Sequence, residues 1–180
     1  MNERFVTLWR EPSTRFVLLF AAWLTVLFLL LALKPVNDHL VEPYTAFIAQ
    51  EAAVVLRWFG VEAQAVGMTL SSPRFSVAIF NGCNGLEASI VLFSGILAFP
   101  SRWRWKAFGV VLGLLVIHVV NLVRVLSLFV LGMVKREWFS AFHNVIWQVV
   151  IVVLAVALLV VWAQYGKSRA LAAPVEMSRG

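Results

Sequence analysis

Cysteine is nearly absent from this chain, which has only Cys83. A single thiol closes no internal disulfide, and it excludes a metal site built on cysteine pairs. Charge is scarce as well. Asp, Glu, Lys and Arg make up 13% of the 180 residues, against about a quarter in a soluble domain. Acids are the rarer sign, 9 against 15 bases. The excess bases form no patch interleaved with aromatics, which argues against nucleic-acid binding. There are only three histidines. His39, beside Asp38, reads as a surface pair or a weak metal site, and His118 as a packing or hydrogen-bonding residue. Neither has the company a zinc site requires. No metal or cofactor is expected.

Apolar residues are abundant, at 62%, and they fall in blocks. The first block, Phe16 to Leu33, is bracketed by Arg15 and Lys34. At helical rise it reaches about 27 Å, close to a hydrocarbon core of about 30 Å. It is long for a signal-peptide core, and "LALKPVND" offers no small-x-small cleavage site, so it reads as an uncleaved anchor. Three further spans are predicted at about 86–99, 107–131 and 145–162. The second is short and is extended by a turn at either end. The tail, 165–180, reads as disordered. The predicted fold is an all-α polytopic membrane protein with about four transmembrane helices in one integral domain, residues 1–180.

Residues 34–85 form an insertion between the first two spans. Thr45 to Phe59 has the pattern of an amphipathic helix lying at the membrane interface, stopped by Gly60. In "VEAQAVGMTLSSPRFSVAIF", Val61, Ala63 and Ala65 alternate with polar residues. Phe75, Val77 and Ile79 do the same, and "SSP" supplies a turn. A short β-hairpin is predicted.

Bases in short loops set the orientation. Arg4, Arg10 and Arg15 precede span one. Arg102, Arg104 and Lys106 follow span two. Lys167, Arg169 and Arg179 follow span four. Four spans with both termini in the cytoplasm put all of these on one side. The insertion and residues 132–144 then face outward from the cytoplasmic (inner) membrane.

On that reading three reactive side chains approach the outer face from different elements. Cys83 precedes span two, and His143 precedes span four. Arg124 lies on span three, about 10 Å below its outer end. An arginine at the membrane centre costs roughly 2.5–3.5 kcal/mol on insertion scales, which points to a functional group facing the bundle. The bland alternative is an arginine that snorkels to the headgroups. Asn121, one turn earlier, is placed to hydrogen-bond the guanidinium. Gly82 and Gly85 would let a second backbone approach Cys83. A helix starting at Leu86 would lower the thiol pKa. Glu87 pairs with Arg124, orients His143, or is a water-exposed bystander. Asn84 and Asn144, next to Cys83 and His143 in the chain, complete the supporting set.

The series "NGCNGLEA", "NLVRVLSL" and "FHNVIW", in this order and all at one face, resembles the exosortase/archaeosortase family. Length and the compact four-span plan look most like the small exosortase H branch. The resemblance implies a polytopic cysteine transpeptidase or protease with Cys83, Arg124 and His143 as its triad. It also implies the substrates: exported proteins whose C-terminal sorting signal is a short motif, a membrane helix and a basic cluster. Cleavage would pass through a Cys83 thioester to an acceptor, in contact with membrane lipid.

Two other readings stay open on the residues alone. One is a non-enzymatic transporter or assembly subunit with Arg124 and Glu87 as a structural ion pair. The other is a lipid-modifying acyltransferase using the same thiol.

Overall fold

The structure is a computed structural model that describes residues 11–172, with side chains as far as Gly166. Helix α1, Pro12–Ala32, starts on a proline, whose missing N–H costs nothing in a first turn. It buries none of its side chains fully and packs chiefly on α3. Leu33 is extended and ends it. One helical turn, Lys34–Val36, and a π-helical turn, Asn37–Val41, lead into α2, Glu42–Trp58. Past its end Gly60 takes φ +79°, and the Gly60 and Val61 amides bond back to Arg57 and Leu56. This is the glycine stop expected of that position.

The insertion then forms a three-stranded antiparallel meander: β1 Gln64–Val66, β2 Thr69–Ser71 and β3 Ser76–Ala78. Val66 pairs with Thr69 across Gly67, and Ser71 pairs with Ser76 across the "SPR" turn. The hairpin read from sequence therefore has a third strand. Thr69–Ser71 lies between the two predicted runs and pairs with both.

Helix α3, Leu86–Ala98, comes next. It is not extended at either end. Gly85 stands at φ +80° before it, and Phe99 is extended after it. At about 20 Å it is shorter than a hydrocarbon core. Helix α4, Trp103–Val134, is longer than predicted, and α5, Arg136–Ala141, turns back from its end. A second π-helical turn, Phe142–Ile146, leads into α6, Trp147–Ala172. The predicted disordered tail is thus helical as far as Ala172; residues 173–180 lie outside the described part. Among the described residues, three segments are long and apolar enough to cross a membrane: Pro12–Ala32, Trp103–Val134 and Arg136–Gly166. With the short apolar α3 they make up the polytopic bundle.

Among the described residues, two cores hold it together. In one, Ala88, Leu92 and Ile96 of α3 meet Ile117 of α4 and Ile151, Ala155 and Trp162 of α6. Glycines bring these helices close: Leu92 lies over Gly113 and Leu159 over Gly95, where no Cβ fits. The other core joins Ile48, Ala52 and Leu56 of α2 and Leu70 of β2 to Val125 and Phe129 on the far part of α4. Phe75 packs edge-on against Phe129 with ring centroids 5.5 Å apart, and it covers Gly132. The amphipathic helix of the insertion therefore packs along α4. A polar tie reinforces it, with Tyr44 Oη 3.1 Å from His118 Nδ1 and Glu51 Oε2 2.9 Å from His118 Nε2.

Trp103, Trp105, Trp162 and Tyr165 gather at one end of the bundle, as an interfacial aromatic belt does. From Trp103 to Arg124 is about 31 Å along α4. From Trp162 back to His143 is about 28 Å along α6. Two helices thus place the same polar group one hydrocarbon thickness from the belt.

Candidate active site

Cys83 sits in the loop between β3 and α3, and nearly every turn of that loop is tied down. Asn81 donates to Asn37 Oδ1 of the first π turn (3.1 Å). The Cys83 amide donates to the Phe80 carbonyl (3.0 Å). Asn84 is fully buried. It donates to Thr45 Oγ1 of α2 (3.0 Å) and accepts from the Leu86 amide (3.1 Å), so it fixes the loop and starts α3 together. Gly82, at φ +89°, has open space where a Cβ would lie. Gly85 does not, because Asn121 and Ile117 of α4 fill the space beside it. The clearance predicted for a second backbone exists at Gly82 only.

His143 lies in the second π turn, its ring stacked parallel to Phe139 one turn back, with centroids 5.4 Å apart. This presents the ring edge to Cys83, with Nε2 3.3 Å and Nδ1 3.8 Å from Sγ. Arg124 reaches the same point from α4 and is 1% exposed. It donates from Nη1 to the Gly82 carbonyl (3.2 Å) and from Nη2 to Gln148 Oε1 (3.4 Å), and Nη2 stands 3.9 Å from Cys83 Sγ. Its Nε has no hydrogen-bond partner among the described residues. A buried guanidinium without a carboxylate is costly, and here its field falls on sulfur.

The thiol is displaced upward, above the ordinary thiol range. Burial is the largest cause; the Arg124 charge works against it and the Glu87 charge adds to it. The lowered pKa expected from a helix N-terminus is not found. Cys83 is in the turn ahead of α3, not in its first helical turn, and desolvation of the thiolate outweighs the neighbouring cation. The resting group is therefore a protonated thiol beside a base.

Several supporting residues behave differently from their sequence reading. Asn121 is buried against Gly85, and its amide finds no partner among the described residues, so it does not aim Arg124. Glu87 forms no ion pair with Arg124 and does not orient His143. Its Oε1 accepts the Gly82 amide at 2.7 Å. Asn144 bonds Ser140 one turn back on an exposed face, away from the sulfur. Asp38 pairs with Lys34 (2.6 Å). No group of three or more metal-ligating side chains occurs among the described residues. Gln148 went unread. Its signal was available, since it is the only amide or charged side chain between Val145 and Val161.

Fold and cluster together define a polytopic membrane protein with a Cys–His–Arg constellation at one end of its bundle. The sequence profile of the transmembrane exosortase family matches residues 12–171. The chain belongs to that family. No curated protein and no solved structure matches it.

Proposed function

We propose that this protein is a membrane cysteine transpeptidase or protease that cleaves the C-terminal sorting signals of exported proteins. The observation that carries the proposal is the contact of Cys83 Sγ with His143 Nε2 at 3.3 Å, beside the buried Arg124. His143 takes the thiol proton as sulfur attacks the scissile carbonyl. The carbonyl π electrons move to oxygen, and Arg124 stabilises the oxyanion in a site of low dielectric. Collapse breaks the C–N bond. His143 returns its proton to the leaving amine, and the N-terminal part of the substrate stays on Cys83 as a thioester. Water or an amine acceptor then releases it.

The cell inner membrane, with the site on its extracytoplasmic face and both termini inside, suits this chemistry and the distribution of loop bases. The distance of about one hydrocarbon thickness from the aromatic belt supports it too. An apolar groove of about 270 Å³ lies beside the site, between Ser127 and Leu131 of α4 and Phe142, Ile146 and Trp147. It supports lateral approach of a substrate membrane helix that presents its juxtamembrane motif to the sulfur. The rival reading, a structural Arg124–Glu87 pair in a non-enzymatic subunit, loses its main contact, because Glu87 is hydrogen-bonded to Gly82 instead.

The test is Cys83→Ala, with C-terminal processing of a co-expressed sorting-signal protein followed by immunoblot. Accumulation of the unprocessed form is expected; normal cleavage ends the proposal. In the parent protein deprived of its acceptor, mass spectrometry of Cys83 should find a peptidyl thioester. A lipid adduct there would transfer the assignment to acyl transfer.

A further inference from the structure

Glu87 is held in an unexpected way. It lies in the first turn of α3, four residues after Cys83. Its carboxylate reaches back past the nucleophile to the Gly82 amide. The carbonyl of the same glycine accepts from Arg124. These two atoms belong to different peptide planes. The amide is part of the Asn81–Gly82 plane, and the carbonyl is part of the Gly82–Cys83 plane. Between them stands the Gly82 φ of +89°, a rotation that only glycine makes cheaply. An acid holds one plane, a guanidinium holds the next, and the pivot between them sets where Cβ of Cys83 points.

We infer that Glu87 is a positioning residue for the nucleophile, acting through the Gly82 amide to keep Cys83 Sγ within reach of His143 Nε2. The inference rests on Cys83 being the nucleophile. The carboxylate carries two consequences that can be separated. As an acceptor it fixes the loop, and a charged acceptor makes the stronger hydrogen bond. As an anion it opposes thiolate formation on the neighbouring sulfur. An acid in a first helical turn also has a plain stabilising role against the helix dipole, and the experiment must tell these apart.

Full-length protein in membranes is compared as parent, Glu87→Gln and Glu87→Ala. The readouts are processing of a sorting-signal reporter, the pH profile of Cys83 alkylation by iodoacetamide, and the thermal midpoint in detergent. Glutamine keeps the acceptor and removes the charge; alanine removes both. Alanine is expected to lower processing by about tenfold or more, corresponding to the loss of one well-made hydrogen bond to the loop. Glutamine is expected to restore it to within about threefold of the parent while its alkylation midpoint moves to lower pH. Equal processing by parent and alanine variant overturns the inference. So does a glutamine variant as poor as alanine, or a loss in alanine that merely tracks the fraction of folded protein. Cys83→Ala is run alongside. Normal processing there ends the nucleophile reading itself, and the Glu87 inference falls with it by a result distinct from its own.

Discussion

Arg124→Met is the most informative single change, because catalysis and stability respond to it differently. The guanidinium is buried and has no carboxylate partner; its contacts are a carbonyl, an amide oxygen and a sulfur. Methionine of similar length removes the charge and leaves apolar bulk. On stability two terms oppose. The Gly82 carbonyl and Gln148 lose a charged donor, at roughly 1.5–3 kcal/mol for each well-made bond. The desolvation penalty of an unpaired buried cation, several kcal/mol, is relieved. The net change is expected to stay within about 2 kcal/mol, and either sign is consistent with the balance. On rate the terms do not cancel. Loss of an oxyanion donor lowers turnover by about 10²–10³-fold. The thiol pKa rises further once the cation is gone, so Cys83 alkylation at neutral pH also slows. The assays are reporter processing in proteoliposomes, iodoacetamide alkylation against pH, and thermal unfolding in detergent. A processing rate within about threefold of the parent refutes the catalytic role. A stability loss of about 3–5 kcal/mol refutes the unpaired-cation argument, since that is the signature of a broken buried ion pair.

The same geometry gives other expected outcomes. His143→Ala is expected to lower processing by about 10²–10⁴-fold as the general base is lost. Because burial holds the thiol above its ordinary range, thiolate is sparse at neutral pH and grows as pH rises. Residual activity of the His143 variant should therefore climb with pH, and a flat profile contradicts the base assignment. Gly132→Ala drives a methyl group into the Phe75 ring, which is already packed against Phe129 and Phe139. A loss of about 1–3 kcal/mol is expected from overpacking, read as a lower thermal midpoint. Cys83 alkylation in the protein that remains folded should be unchanged.

Much of this architecture is legible in the sequence. Apolar blocks bracketed by arginines and lysines locate the long helices, because hydrocarbon admits little else. Arg124 stands out for the same reason, and Cys83 and His143 by their place just before spans two and four. A polar group is conspicuous where its solvation cost is high. What could not be read depends on partners distant in the chain. Strand β2 is only three residues long, and pairing with both neighbours makes it a strand. Asn121 and Asn144 have the right chemistry, but one faces Gly85 and the other its own helix. The direction of the Cys83 shift turns on a balance between burial and charge that spacing along the chain does not contain. Glu87 invited pairing with the nearest opposite charge, yet a backbone amide was closer. The two π turns leave no compositional mark.

The second π turn has a consequence for the rotational register of α6. His143 and Gln148 are five residues apart, and the first meets Cys83 while the second meets Arg124. In a plain α-helix side chains five apart diverge by about 140°. The wider turn, closed by the Trp147 amide on the Phe142 carbonyl, narrows that divergence. Relaxation of Phe142–Ile146 to plain α-helix with all five residues kept would rotate α6 by up to about 100° relative to His143. Either the imidazole would leave the sulfur, or Ile151, Ala155 and Trp162 would leave the core. The widened turn, not the length of the chain, is what lets the imidazole reach the sulfur while α6 stays in its core.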